Sequence, residues 1–406
     1  MFDIATRSRP VRVGRVSHGA GFVVVAVAFL TAMAFSTLPT PLYALYQRQD
    51  GFPTFVVTVV FAAYAVGVMA SLYLAGHVSD WLGRRRVILA GLLAEALAAA
   101  LFLVSGQVPV LIVARLISGA GVGIITATAT AHLSELRVVA RPEADPGRSG
   151  LAATVVNAGG LALGPLAGGL FAQFVARPLT TPFVVFLILL LLEAVVVSLV
   201  PETVERREER PAYRPQRVTL PVAARPKFTG AAIGVFATFA LSGLFMALSP
   251  TLLATGLHQG SRLLAGVTPF AMLGSAALAQ VLLARLGTRV QLALGFGLMM
   301  AGLVVLPVAV FAGSLSAFLV GGVLGGTGFG LGFRASVSTV AALADPLSRG
   351  ETLAALFLVA YAGLVLPILL IGVALVWFSS ATALLGFSVL ELLLLGWAAR
   401  RTLGAS

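Results

Sequence analysis

Four charged side chains stand inside long apolar runs: Glu95, Glu193, Glu391 and Arg115. An acid so placed can take up and release a proton, and a guanidinium near it can tune that exchange, because an uncompensated charge away from water is costly. A second set is compressed into GHVSDWLGRRR at 76–86, where Asp80 and the run Arg84, Arg85 and Arg86 interrupt an otherwise uncharged stretch. Asp80 can pair with a neighbouring arginine or a helix N-terminus, and Gly76 and Gly83 permit a tight turn and close backbone approach. A third set is neutral and polar: Ser36, Thr37, Tyr43, Asn157, Ser242, Gln280 and Tyr361. With few fixed charges, these types suit a lipophilic or amphipathic solute better than a polyanion. No glycine loop with a lysine cradles phosphate and no histidine pair has zinc spacing, so no catalytic, metal or cofactor site is expected. The chain has no cysteine, which removes disulfide and thiol chemistry.

The elements that must position these residues follow from composition. The chain is 59% hydrophobic and only 10% charged, with a mean hydropathy of +1.02, outside the range of soluble domains. Its net charge of +12 is interleaved with apolar runs, unlike the clustered stripe that nucleic-acid binding needs. Apolar runs of bilayer length predict twelve helical spans, at 19–46, 53–78, 87–105, 107–132, 149–175, 180–200, 228–255, 263–284, 290–311, 314–340, 350–375 and 377–399. The first follows a basic leader but is too long for a signal peptide, so a retained span is expected. With both termini cytoplasmic, 23 of the 27 basic residues fall in cytoplasmic segments, Arg334 and Arg349 among them, and Arg115 alone falls within a span. That imbalance predicts a multi-pass protein of the cell inner membrane with both termini inside.

The longest polar segment, at 204–228, is too charged and proline-rich to cross a membrane, and six spans lie on each side of it. The halves share features at a near-constant displacement. Leu82-Gly83 recurs as Leu286-Gly287, Gly119, Gly121 and Gly123 as Gly326, Gly328 and Gly330, and Leu151-Ala152-Ala153 with Pro165 as Leu353-Ala354-Ala355 with Pro367, displaced by 204, 207 and 202 residues. A duplicated six-helix unit is therefore expected. The division is a tail at 1–18, a first bundle at 19–203, a linker at 204–227, a second bundle at 228–399 and a tail at 400–406. Pro39 and Pro41 interrupt span 1, and Pro250 interrupts span 7 at the corresponding point, the pattern of a binding site between repeats.

With these features in place, Gly76-x3-Asp80-x2-Gly83-Arg84-Arg85-Arg86 resembles the signature loop of the major facilitator superfamily. Arg115-Leu-Ile-Ser118-Gly119-Ala-Gly121 in span 4 resembles a second family motif. Gly160-x3-Gly164-Pro165-x2-Gly168-Gly169 in span 5 resembles the motif of its proton-coupled drug exporters, and Pro201-Glu202-Thr203 closes span 6 as is common in the family. The resemblance implies an all-α integral membrane protein of 12 transmembrane helices in two pseudo-symmetric six-helix bundles. It further implies a secondary transporter, monomeric in the lipid bilayer, that exports small lipophilic or amphipathic compounds against protons; uptake of a neutral solute such as a sugar and ligand sensing without transport are the alternatives. The signature loop would then be a gating latch between the bundles; Trp81 stands where the family often has an arginine, so that strand of the charge network is either absent or supplied by Arg85. Arg115 would tune a buried acid or face the cavity, and Glu95 is the preferred proton carrier. Glu193 and Glu391 lie on spans that flank the family's cavity. Span 1 here lacks the acid many such exporters carry there.

Overall fold

A computed structural model describes residues 16–75, 78–141, 143, 146–204, 225–344 and 349–404. Twelve apolar helices follow in order: α1 His18–Asp50, α2 Thr54–Ala75, α3 Arg84–Val104, α4 Val108–Ala140, α5 Pro146–Phe174, α6 Thr181–Val197, α7 Arg225–Gly256, α8 Arg262–Leu282, α9 Thr288–Phe311, α10 Leu315–Leu343, α11 Arg349–Ala374 and α12 Ser380–Leu403. Eleven are long and apolar enough to cross a membrane, and α6, with 17 residues, is the shorter one. Leu192, Leu393 and Val104 stay exposed, as suits helices whose outer faces meet lipid rather than water. Serines start several helices: Ser17, Ser261, Ser314 and Ser379 each accept a backbone N–H from the first turn, satisfying a donor the helix itself cannot.

The helices differ from the apolar runs where charge ends a run but not a helix. α4 continues through His132, Glu135 and Arg137 to Ala140, past the expected end at 132, because that last stretch packs with the 79–85 turn and the end of α6. Both proline-interrupted helices are broken. α1 passes at Thr40–Leu42 through a tight 3₁₀ turn, and α7 passes through two π-helical turns around Ser249–Thr251.

Helix contacts repeat with a displacement of six. α1 packs on α4, α5 and α6 as α7 does on α10, α11 and α12, and α4 packs on α2 and α3 as α10 does on α8 and α9. The repeated glycines make those contacts close. Gly119 and Gly123 in α4 face the α2 backbone at Tyr64 and Val68, and Gly326 and Gly330 in α10 face the α8 backbone at Met272 and Ala276. Gly121 faces Gly91 in α3, and Gly328 faces Gly295 in α9. A Cβ at Gly119, Gly326, Gly328 or Gly330 would collide with backbone, one at Gly123 with the Ser71 hydroxyl, and one at Gly121 would stand 3.1 Å from the Gly91 carbonyl, so the glycine triplets set how near the helices come.

Candidate functional site

Between the halves lies a cavity of about 580 Å³. Its lining comes from the end of α2, the later turns of α4, the start of α5, the end of α8, the later turns of α10 and the start of α11. Because successive spans alternate in direction, all these ends belong to the face that carries the start of α1, the end of α12 and the 78–83 turn. At the opposite face the halves meet where α5 packs on α8 and where α2 packs on α11, and the 40–42 turn of α1 adds a contact with α8. A Cβ on Gly169 in α5 would stand 3.0 Å from the Cα of Gly266 in α8, and Arg262 Nη1 donates to Ala172 O at 3.3 Å. The symmetry-related contact sets Gly372 of α11 against Thr58 of α2. The molecule is thus closed at one face and hollow toward the other.

Of the polar residues expected to meet a solute, Asn157, Gln280 and Tyr361 line this cavity, whereas Ser36, Thr37, Tyr43 and Ser242 are buried among helices outside it. Thr37 has a structural task instead. Pro165 inside α5 cannot donate to the carbonyl four residues back, and Thr37 Oγ1 donates to that oxygen, Leu161 O, at 3.1 Å. The α5 motif divides between two partners. Gly160, Gly164 and Gly168, spaced by four, face α1 at Leu30, Ala34 and Leu38, whereas Gly169 faces α8 in the other half.

A charged side chain that the sequence reading assigned to the basic flank belongs to the cavity. Arg334 sits inside α10 and lines the space, so Arg115 is not alone within a span. The expected extent of 314–340 already enclosed it, and checking the basic residues against that extent would have found it. Phe333, Phe357 and Tyr361 stand beside it, within a ring cluster in which Phe239 lies 5.6 Å from Tyr361 and 5.5 Å from Phe333.

Arg115 lies away from the cavity, 1% exposed, in the core of the first bundle. Its Nη1 donates to Ser36 O at 2.6 Å, and its guanidinium lies 4.6 Å from the Tyr64 ring centroid and 5.9 Å from that of Tyr43. Its Nε and Nη2 have no hydrogen-bond partner. Glu95 is fully buried on α3; Ser118 donates to its Oε2 at 2.9 Å, and Oε1 has no partner. Arg115 and Ser118 are one turn apart on α4, so the acid and the base share a helix face without forming an ion pair. Glu193 accepts from Thr31 at 2.6 Å, which ties α6 to α1. Glu391 is fully buried in α12, and neither carboxylate oxygen has a partner among the described residues.

Around the signature turn, Arg84 joins three elements: its Nη1 meets Asp80 at 2.5 Å and its Nη2 meets Glu135 of α4 at 3.0 Å. Arg84, rather than Arg85, therefore pairs with Asp80; Arg85 Nη1 donates to Val200 O at 3.0 Å, and Arg86 is exposed. Glu202 accepts from the backbone N–H of Arg84 at 2.9 Å and of Arg85 at 3.2 Å, capping α3 from beyond α6. Thr203 donates to Glu135, and His132 Nε2 lies 3.2 Å from Pro201 O. All these partners belong to the first half, and the Asp80 side chain is 63% exposed, so among the described residues the loop's ion pairs and hydrogen bonds stay within the first bundle in this conformation. Gly76 lies outside the described residues. Glu135 and Glu202 complete this cluster, and the sequence reading did not assign either to it; Glu202 was visible in the Pro-Glu-Thr ending, but only the folded chain brings it 118 residues back to α3.

A family model described as Major Facilitator Superfamily matches residues 24–367. The puromycin resistance protein pur8 of Streptomyces alboniger is 31% identical over 160 residues, which cover 38% of this chain and 30% of that protein. The crystal structure of the human organic anion transporter MFSD10 (TETRAN) superposes with a TM-score of 0.66 at 18% identity, covering 94% of this chain and 99% of that one. At that identity the likeness speaks for the fold. Contacts repeated every six helices, a cavity between the repeats and a family match over most of the length have one explanation: the chain belongs to the Major Facilitator Superfamily and is a membrane transporter of that kind, not an enzyme.

Proposed function

We propose that the protein exports small amphipathic compounds from the cytoplasm in exchange for protons, by alternating exposure of the central cavity. The observation that carries this reading is the 580 Å³ cavity lined by both halves on the face of the termini, with the halves in glycine-mediated contact on the other. A rocking exchange of those two closures moves the site across the bilayer without moving it within the protein. The basic residues flanking the spans favour an orientation with the termini and the cavity mouth in the cytoplasm of an inner membrane. Export is supported by the α5 glycine-proline motif and by the resistance protein with which the chain shares 160 aligned residues. Asp80 and Arg84 form the latch that engages the second bundle when the cytoplasmic face closes. For the proton, Glu95 is the candidate carrier: one carboxylate oxygen has no partner and Arg115 is one turn beyond its Ser118 partner, so proton binding there is coupled to the α3–α4 packing.

Everted vesicles acidified inside and loaded with a pH-sensitive dye test the reading. Adding amphipathic aromatic compounds should alkalinise the lumen, and Glu95→Gln protein that inserts at normal levels should not respond. Silence across compounds of every charge type would overturn the transport reading, and a full response in Glu95→Gln would remove Glu95 from coupling.

A further inference from the structure

The charge inside the cavity says which compounds fit. Arg334 lies nine residues before the end of α10 at Leu343, a depth of about 13 Å along the helix, too far for the side chain to bring its charge out past that helix end. One guanidinium nitrogen, Nη1, donates to Gln280 O at 2.9 Å. No carboxylate among the described residues lies within ion-pair distance of it, and no acid is among the residues lining the cavity. Arg334 is part-exposed in a cavity open to the termini face, so water solvates it there, whereas a cation enclosed at membrane depth costs roughly 2.5–3.5 kcal/mol on insertion scales once the cavity shuts around it. The remaining N–H groups have the geometry to take two oxygens of one anion side by side. Ser338, one turn further along α10, and Asn157, from α5 in the other half, add neutral polar groups to the same wall. Phe333, Phe357 and Tyr361 supply an apolar wall for a ring or chain.

We propose that Arg334 is the seat of an anionic group on the substrate, and that the site takes compact aromatic or alkyl anions bearing a carboxylate, sulfonate or phosphate. This rests on the transporter reading above and narrows it. A cationic amphipath would bring its charge toward Arg334 with no acid in the lining to receive it. The anion also neutralises Arg334 as the cavity closes around it, so loaded protein can pass through the occluded state that the empty, charged cavity resists.

Three compounds on one ring test this with the purified full chain: 2-naphthoate, 2-naphthamide and a naphthyl trimethylammonium salt, each measured for equilibrium binding in detergent and for counterflow in proteoliposomes. Naphthoate should bind best and be exchanged. Arg334→Gln should weaken naphthoate by about tenfold or more, the loss of one charge-assisted contact, and leave naphthamide within about twofold. Arg334→Lys should recover most of the naphthoate affinity. Equal loss of naphthoate and naphthamide in Arg334→Gln would make Arg334 a packing residue through Gln280 and overturn the proposal. Preference for the ammonium or the amide in wild-type protein would overturn it too, leaving the transporter reading intact. Failure of all three to bind and exchange would overturn both.

Discussion

Glu202 accomplishes at the start of α3 what no neighbouring residue can. Gly83 precedes the helix at φ 99° and has no side chain to cap it, so the N–H groups of Arg84 and Arg85 need an acceptor from elsewhere. The carboxylate arrives from the chain beyond α6, adding a favourable negative charge at the positive end of the helix. A lost cap costs about 1–2 kcal/mol. Glu202→Ala should therefore lower the melting temperature of detergent-purified protein by about 2–4 °C, with Glu202→Gln between, since an amide oxygen still accepts one N–H; an unchanged melting curve for Glu202→Ala would show the cap to be dispensable. Gly83→Ala should cost more, because it adds left-handed strain to a Cβ that would stand 3.0 Å from the Glu202 carboxyl carbon. At this scale the sequence was a partial guide. Asp80 and the arginines announced a charge cluster, but which arginine pairs with Asp80, and that Glu135 and Glu202 complete the cluster, depend on contacts 51 and 117–118 residues apart.

The α5 motif shows how a helix can serve two neighbours at once. Its glycines at 160, 164 and 168 form one ridge against α1, and Thr37 of α1 donates to the carbonyl that Pro165 leaves without a partner. A Cβ at Gly164 would meet the Ala34 backbone and the Thr37 hydroxyl, whereas at Gly159 it would meet nothing within 4 Å. Gly164→Ala should thus force α1 and α5 apart, cost about 1–3 kcal/mol and reduce exchange in proteoliposomes. Gly159→Ala, at a neighbouring position on the same helix, should leave folded yield and exchange near wild type, and equal behaviour of the two would show that close approach is not what the motif provides. Thr37→Val, similar in volume but without the hydroxyl, should lower the melting temperature by leaving Leu161 O buried and unpaired. Helices, breaks and repeats were legible because apolar length, proline and glycine act locally or recur in register. Thr37 was misread because hydroxyls in a span serve helices and solutes alike, and only its partner decides. Arg334 was misread in the charge tally, which counted it with the cytoplasmic flank although the expected span of 314–340 enclosed it.

Across the whole molecule, two of the far-face contacts are related by the same displacement as the repeats: Gly169 to Gly372 is 203 residues, and Thr58 to Gly266 is 208. A pair of equivalent seals is what a two-state rocking motion needs, since both must part for the cavity to face the other way. Because these small residues bring the facing helices into close backbone approach, a modest steric change there should shift the balance. The chain has no cysteine, so one introduced residue reports the state directly. Ser338→Cys lies in the cavity and should react with a membrane-impermeant maleimide added to the termini face of everted vesicles. Gly266→Ala, whose Cβ would strike the Pro165 carbonyl and the Gly169 backbone, should prise open the far seal and lower that reactivity several-fold, each factor of ten corresponding to about 1.4 kcal/mol of population shift. Gly297→Ala, which meets nothing within 4 Å on α9, should leave it unchanged. If Gly266→Ala protein of normal yield labels as fast as its parent, the seal at α5 and α8 does not set the conformational balance, and the closure would have to be controlled at the other contacts of that face, Thr58 and Gly372 among them.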